Sequence, residues 1–297
     1  MKYVIFDCDS TVGLPGKPMD DALALLYLLG RPNEVEILGI TCTFANGTEA
    51  EVYRSTTQLL QEIGRTDIPL RPGADRDQDP VSEAARFIAD TVNARPGEIS
   101  LVAIGSLTNL YGAYLLDHTI FDKVKEIVLM GGYTAPVIYH GISLDELNFS
   151  ENPEAAACVL THGRNVSILT GNNTLEPSYL PKEEFLEKMH AGSDAAKYIG
   201  DKCGYRFDVQ GGRYGNPISY CWDVVATVYL LHPELFEDEP THCAIKAHAL
   251  KAGWLAPIAE PFPGSVVLNL PRVKNMAAYR QEMYAGWLDF TIPEATK

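Results

Sequence analysis

Positive charge is scarce in this sequence. Lys and Arg number 24 against 39 Asp and Glu, giving a formal net charge of −15. A nucleic-acid binder needs a basic face to neutralise phosphates, so that class is disfavoured. Long apolar runs are also missing. No stretch approaches the 18 residues a membrane span requires, and no apolar run with a small-residue cleavage site opens the chain. The six cysteines form no C-x-x-C pair, which removes the thiolate zinc patterns. They read as reduced, buried thiols, and the expected compartment is the cytoplasm. Internal repeats and low-complexity segments are absent, and no composition break marks a linker, so residues 1–297 are expected to form a single domain.

What is present is an alternation. Apolar runs of strand length (Tyr3–Phe6, Val35–Thr43, Ser100–Ile104, Glu126–Met130, Val166–Thr170) alternate with helix-period segments at 19–30, 49–64, 82–94, 107–116 and 153–162. Strands that are apolar nearly throughout are buried on both faces. The expectation is therefore an α/β fold with a mainly parallel, Rossmann-like central sheet flanked by helices. A helix over 222–232, a strand at Ser265–Leu270 and a last helix at Lys274–Leu288 complete the pattern. Residues 190–221 begin as a short helix and continue as a Gly- and Tyr-rich stretch.

In open parallel sheets, ligands bind beyond the carboxyl ends of the strands. Here those ends carry DCDST, TFANG, IGSLTN, MGG and TGNN. Asp7 and Asp9 face a second pair, Asp20 and Asp21, across one Gly/Pro-rich loop. A helix-starting Asp also fits plain capping. Four aspartates within 15 residues fit a hard divalent cation better, since oxygen-rich shells suit such ions.

Two enzyme classes open this way. Asp7-Cys8-Asp9-Ser10-Thr11 satisfies the D-x-D-x-[TV] of haloacid-dehalogenase-like phosphatases, where Mg²⁺ would hold the phosphate and Asp7 would be the nucleophile. The later strand ends do not supply that family's other residues. More of the chain resembles the inosine–uridine-preferring nucleoside hydrolases. DCD…MDDALALLYLL is similar to their D-x-D-x-G-x-D-D opening, with a loop about five residues longer. LGITCTFANGTEAE, SLVAIGSLTNL, KEIVLMGG, DELNFSENPEAA and PISYCWDVVATVYLLHPELF follow in the family's order.

That resemblance implies Ca²⁺-dependent hydrolysis of the N-glycosidic bond of ribonucleosides. It places the Ca²⁺ ligands at Asp9, Asp21, the Ile104 carbonyl and Asp223, with Asp9 also taking a proton from water. Asp20, Asn46, Met130, Glu146, Asn148 and Asn173 would contact the ribose, with Asp7 behind the metal ligands. Trp222 stands where many members carry a proton-donating His. Stacking of its indole on the base resembles the purine-preferring branch. The residues also admit plainer readings, with Asn46-Gly47 as a turn, Glu146 as a surface charge, and Met130 and Trp222 as core. His140 and Tyr139 lie where an Asn is usual. Tyr205, Phe207 and Tyr214 are expected to line a lid hinged at Gly211, Gly212 and Gly215. The implied partner is a small-molecule nucleoside, with no nucleic acid and no membrane, and the implied assembly a homodimer or homotetramer. A non-catalytic riboside-binding protein is the remaining alternative.

Overall fold

The computed structural model describes residues 1–139, 141–214 and 218–293. His140 and Gly215 lie outside the described residues, as does the side chain of Tyr214. Eight strands form one sheet: β1 (Lys2–Cys8), β2 (Val35–Cys42), β3 (Leu70–Arg71), β4 (Ile99–Ala103), β5 (Glu126–Met130), β6 (Val166–Leu169), β7 (Pro240–Cys243) and β8 (Val266–Asn269). Their order across the sheet is β7-β8-β6-β5-β4-β1-β2-β3. All neighbours are parallel except β7 and β8, which pair antiparallel at one edge. The sheet is mainly parallel and flanked by helices, as expected. Two of its strands, the two-residue β3 and the edge strand β7, carry too little apolar signal to be read from sequence.

The strand order fixes where a ligand can bind. From β1 the chain runs outward through β2 and β3, then returns to place β4 on the other side of β1. The helices after β1 and β4 therefore leave in opposite senses, and a crevice opens between the carboxyl ends of those two strands. Asp7 is in register with Thr41 on β2 and with Ala103 on β4. Asp9 and Ile104 follow at that mouth.

Helix α1 (Asp20–Leu29) is buried along its whole length, its two aspartates included. A helix apolar on all sides is covered on all sides. Its covers are α2 (Trp222–Leu231) and the C-terminal helix α3 (Met276–Asp289). The crossing of α1 and α3 is close: a Cβ on Gly30 would stand 1.8 Å from the Gly286 carbonyl oxygen. Trp287, fully buried, donates its indole N–H to the Leu23 carbonyl at 2.9 Å. At the far end of α1, the Arg31 guanidinium reaches Glu282 at 2.8 Å and Asp289 at 2.6 Å. Tyr27 donates to the same Glu282 oxygen, and His232 lies 3.1 Å from it. The helix that presents Asp20 and Asp21 is thus held at its carboxyl end and along its length.

The second half departs from its sequence reading. Residues 190–221, expected to begin as a short helix and continue as a Gly- and Tyr-rich stretch, hold helices at Asp194–Cys203 and Tyr205–Tyr214, and a further helix precedes them at Lys182–Ala191. Phe207 is fully buried and packs on Phe185 with ring centroids 5.3 Å apart, so it belongs to the core and not to a lid lining. No described helix is long and apolar enough to cross a membrane.

The cluster at the end of α1 gives a pH signature. Burial alone would raise the Glu282 carboxyl, but hydrogen bonds from His232, Arg31 and Tyr27 outweigh it and hold the group down to about 2. Its contribution to stability is present above the ordinary glutamate range and is lost as pH falls toward 2. The hydrogen bond to Glu282 raises the His232 imidazole, so that contribution is present below the ordinary histidine range and is lost as pH rises through the raised value. Urea unfolding of wild type and Glu282→Gln from pH 3 to 9 should therefore show a stability difference largest near pH 5–6 and shrinking on both sides. A pH-independent difference would contradict this account.

Candidate active site

A cavity of about 270 Å³ opens at the crevice described above. Asp20, Asn46, Ile104, Met130, Glu146, Asn148, Trp222 and Asp223 all line it. Residues from the ends of β2, β4 and β5 therefore converge with the first turns of α1 and α2, while Asp9 and Asp21 are not among the lining residues.

The floor is acidic. Carboxylate oxygens of Asp20, Asp21 and Asp223 lie within 4.8 Å of one another, and all three residues are buried. Two helix N-termini deliver them, α1 with Asp20 and Asp21 and α2 with Asp223. The positive end of each helix dipole offsets part of the repulsion. Asp20 does not act as the cap of α1: Met19 holds the capping position and makes no side-chain bond. Asp9 lies outside that mutual set but touches it, its backbone N–H donating to Asp21 Oδ1 at 2.9 Å. Asp9 Oδ2 accepts from the Asn46 N–H at 2.5 Å.

Asp9 Oδ1 and Asp21 Oδ2 are buried without a hydrogen-bond partner among the described residues. Burial pushes the Asp9 carboxyl up to about 7. Burial, then the neighbouring carboxylates, push Asp21 and Asp223 well above the usual range. Burial also raises Asp20, while the Arg206 guanidinium pulls it back. Orphaned buried oxygens and mutually raised carboxyls mark a set of donors arranged for a cation. The set is all oxygen, which suits a hard divalent ion. Asp9, Asp20, Asp21 and Asp223 could hold it. The expected ligand set had Asp9 where the tight cluster has Asp20.

The remaining expected residues divide. Asp7 does not line the cavity. It is almost fully buried, accepts from Thr41 at 2.6 Å and Asn109 at 2.8 Å, and is pushed up to about 7 by burial. The Ile104 carbonyl lines the cavity and accepts from the Asn148 amide at 2.9 Å, as does the Met130 carbonyl at 3.0 Å. Asn148 thus ties β4 to β5. The Glu146 carboxylate accepts from the backbone N–H groups of Gly132, Phe149 and Ser150 at 3.2, 2.8 and 3.0 Å. With about four acceptor positions on a carboxylate, little of it is left for a substrate hydroxyl. Gly132 reaches it with φ +73°, the left-handed turn that follows Met130.

Asn173 is a correction. It does not line the cavity, because its amide donates to the carbonyls of Leu270 and Pro271 at 3.0 and 3.3 Å and ties a helix start to the C-terminal strand region.

Several lining residues carry no signal in the sequence. Tyr220 stacks on Trp222, centroids 5.1 Å apart and planes 28° from parallel, so one indole face is already covered. Arg206 and Gln210 line the cavity from helix α4 (Tyr205–Tyr214). Their four-residue spacing puts them on one helical face, a signal visible only if the Gly- and Tyr-rich stretch is read as a helix. Tyr205 does not line the cavity. Its hydroxyl accepts from Gly13 N–H at 3.2 Å and donates to the Lys17 carbonyl at 3.1 Å.

The inosine-uridine preferring nucleoside hydrolase profile matches residues 4–257. The inosine-uridine preferring nucleoside hydrolase of Crithidia fasciculata is 33% identical, over 80% of this chain and 81% of its own. A probable uridine nucleosidase 2 of Oryza sativa is 29% identical, over 78% and 75%. Among solved structures, a plant nucleoside hydrolase superposes with a TM-score of 0.83 at 21% identity, covering 97% of this chain and 99% of that one.

Divalent cation should stabilise the chain by about 2.7 kcal/mol at a hundredfold excess over its Kd. Asp223→Asn should abolish that shift, and with one charge fewer it should unfold at a higher temperature than wild type in chelator. Thermal melts with and without Ca²⁺ test both. A variant less stable than wild type in chelator would contradict the repulsion.

Proposed function

The chain belongs to the inosine-uridine preferring nucleoside hydrolase family, and on that premise we propose that it hydrolyses the N-glycosidic bond of ribonucleosides to free base and ribose with Ca²⁺ on its aspartates. The observation that carries the reading is Asp9: a buried carboxylate at the β1 mouth, with one oxygen fixed by Asn46 and the other without a partner. When bound, the cation would orient ribose hydroxyls and water and make that water easier to deprotonate.

Asp9 takes the water's proton through its partnerless oxygen, while Asn46 holds the other so that the carboxylate cannot rotate away. Asp20 and Asn46, both lining the cavity, receive the ribose hydroxyls. The buried carboxylates favour the positive charge that develops on the sugar as the bond breaks. The base extends toward Trp222, Tyr220 and Tyr133, which give it apolar contact. The sequence relatives named above bear uridine or inosine-uridine in their names, so Trp222 by itself does not support a purine preference. A nucleoside substrate accords with the size and lining of the cavity. The family resemblance alone supports the homodimer or homotetramer and the cytoplasmic setting.

The phosphatase alternative has less support. Its nucleophile would be Asp7, whose Oδ2 is taken by both Thr41 and Asn109, and the family profile that matches is that of the nucleoside hydrolases.

Reducing-sugar release from at least one of uridine, inosine, cytidine and adenosine should occur with Ca²⁺ and stop with chelator. Asp9→Ala should lower kcat by about 10²–10⁴-fold, the range for loss of a general base. Metal-bound wild type that releases no sugar from any of the four would sink the reading.

A further inference from the structure

Breaking the bond to the base leaves an electron pair on a base nitrogen. Something must stabilise that charge, and no histidine lines the cavity among the described residues. Tyr133 and Tyr220 bring phenols, but among the described residues the single cationic side chain in the lining is Arg206.

Its setting is specific. Arg206 Nη1 donates to the Gly16 carbonyl at 2.5 Å. With the Gln210 amide oriented so that both its ends are paired, Arg206 Nη2 donates to Gln210 Oε1 at 3.0 Å, and the Gln210 nitrogen donates to the Ile218 carbonyl at 3.2 Å. Gln210 is itself buried. Two of the five guanidinium N–H groups are thereby used to aim the group, and three remain. The strand that receives Gln210, Ile218–Tyr220, runs directly into Trp222, so Arg206 stands beside the aromatic wall and not beside the Met130 and Asn148 end of the cavity. Ser219 on that strand is almost fully buried, lines the same cavity, and keeps a hydroxyl without a partner among the described residues. Arg206 also acts on the Asp20 carboxylate, so the lining offers a guanidinium and the Ser219 hydroxyl as donors alongside Tyr220 and Trp222, a setting that suits a departing heterocycle with oxygen and nitrogen acceptors.

We propose that Arg206 is a catalytic residue that donates hydrogen bonds to the departing base and stabilises its negative charge, selecting bases that leave as oxygen-delocalised anions. The inference rests on the hydrolase reading above. In the step, the water oxygen bonds to the anomeric carbon and the water's proton passes to Asp9. The carbon–nitrogen bond breaks with its electron pair going to the base. The guanidinium keeps its protons, since it does not deprotonate in this range. The base anion then takes a proton from solvent, and Asp9 returns its proton to solvent. Uracil and hypoxanthine suit this route because a carbonyl oxygen shares their charge. Adenine, which lacks a carbonyl, does not.

The test compares substrates that differ in how much help the leaving group needs. Full-length wild type, Arg206→Gln, Arg206→Lys and Tyr205→Phe are assayed with Ca²⁺ on uridine, inosine and p-nitrophenyl β-D-riboside, whose phenolate departs unaided. Arg206→Gln should lose about 10²–10³-fold in kcat on uridine and inosine, the usual loss for one donor to developing charge. Its loss on the nitrophenyl riboside should be under about tenfold. Arg206→Lys, which keeps the charge, should fall between, and covers the case in which the Gln variant fails to fold. Tyr205→Phe, which loosens the same loop without touching the guanidinium, should leave the ratio of the two substrate types unchanged. Equal loss on all three substrates in both Arg206 variants would overturn the proposal in favour of ribose positioning. A Tyr205→Phe variant that reproduces the split would overturn it in favour of the loop. Wild type inactive on all three would instead remove the hydrolase reading, and this inference with it, a result told apart by the wild-type control.

Discussion

Repulsion among buried carboxylates is the constraint around which this molecule is arranged. Asp9, Asp20, Asp21 and Asp223 are withdrawn from water and face one another, and desolvation and mutual charge both oppose their ionisation. Such a group stays together only if the elements carrying it cannot separate. The sheet fixes Asp9 at the end of a strand with neighbours on both sides. The α1–α3 crossing fixes Asp20 and Asp21, and the packing of α2 on α1 fixes Asp223. At Gly30 and Gly286 the helices are in backbone contact, Trp287 anchors the middle, and the Arg31 cluster closes the end. Close backbone packing at the carboxyl end of α1 thus anchors the helix whose first turn carries part of the least favourable electrostatics.

A second layer sets orientation. Thr41 and Asn109 hold Asp7, and Asn109 also donates to the Cys42 carbonyl, so the ends of β1 and β2 are joined beneath the cavity. Asn148 does the same for β4 and β5. These amides and hydroxyls fix backbone position at the strand ends. Residues that resemble substrate contacts by position are here partly committed to that task, Glu146 most clearly.

Much of this was legible in the sequence because its causes are local. The strand at Glu126–Met130 and the helix at Pro153–His162 are bounded as expected, the first by an apolar run ending in Gly-Gly, the second by Pro at its first turn. The aspartate pairs announced themselves through spacing. What failed was tertiary in origin. Residues 205–214 contain two glycines and two tyrosines, poor helix formers, and take up a helix because Phe207 is buried and Tyr205 and Arg206 bond to a loop nearly two hundred residues earlier. With that helix unread, Arg206 and Gln210 were invisible. Asn173 was placed correctly at a strand end, but which way its amide points depended on carbonyls at Leu270 and Pro271, about a hundred residues downstream.

The lengthened loop between the two aspartate pairs sits under α4. Gly13, Gly16 and Lys17 each bond to Tyr205 or Arg206, and the Lys17 amine reaches on to the Asn46 carbonyl at 2.6 Å. The insertion therefore lies between the metal-side backbone and the wall that faces the base. Over evolutionary time, the part of it that precedes Pro18 and Met19, which line the cavity, could drift without altering a lining residue. Each such change would still re-aim the guanidinium, so new substrate preferences could arise on this scaffold while the carboxylates, and the chemistry they perform, stay fixed.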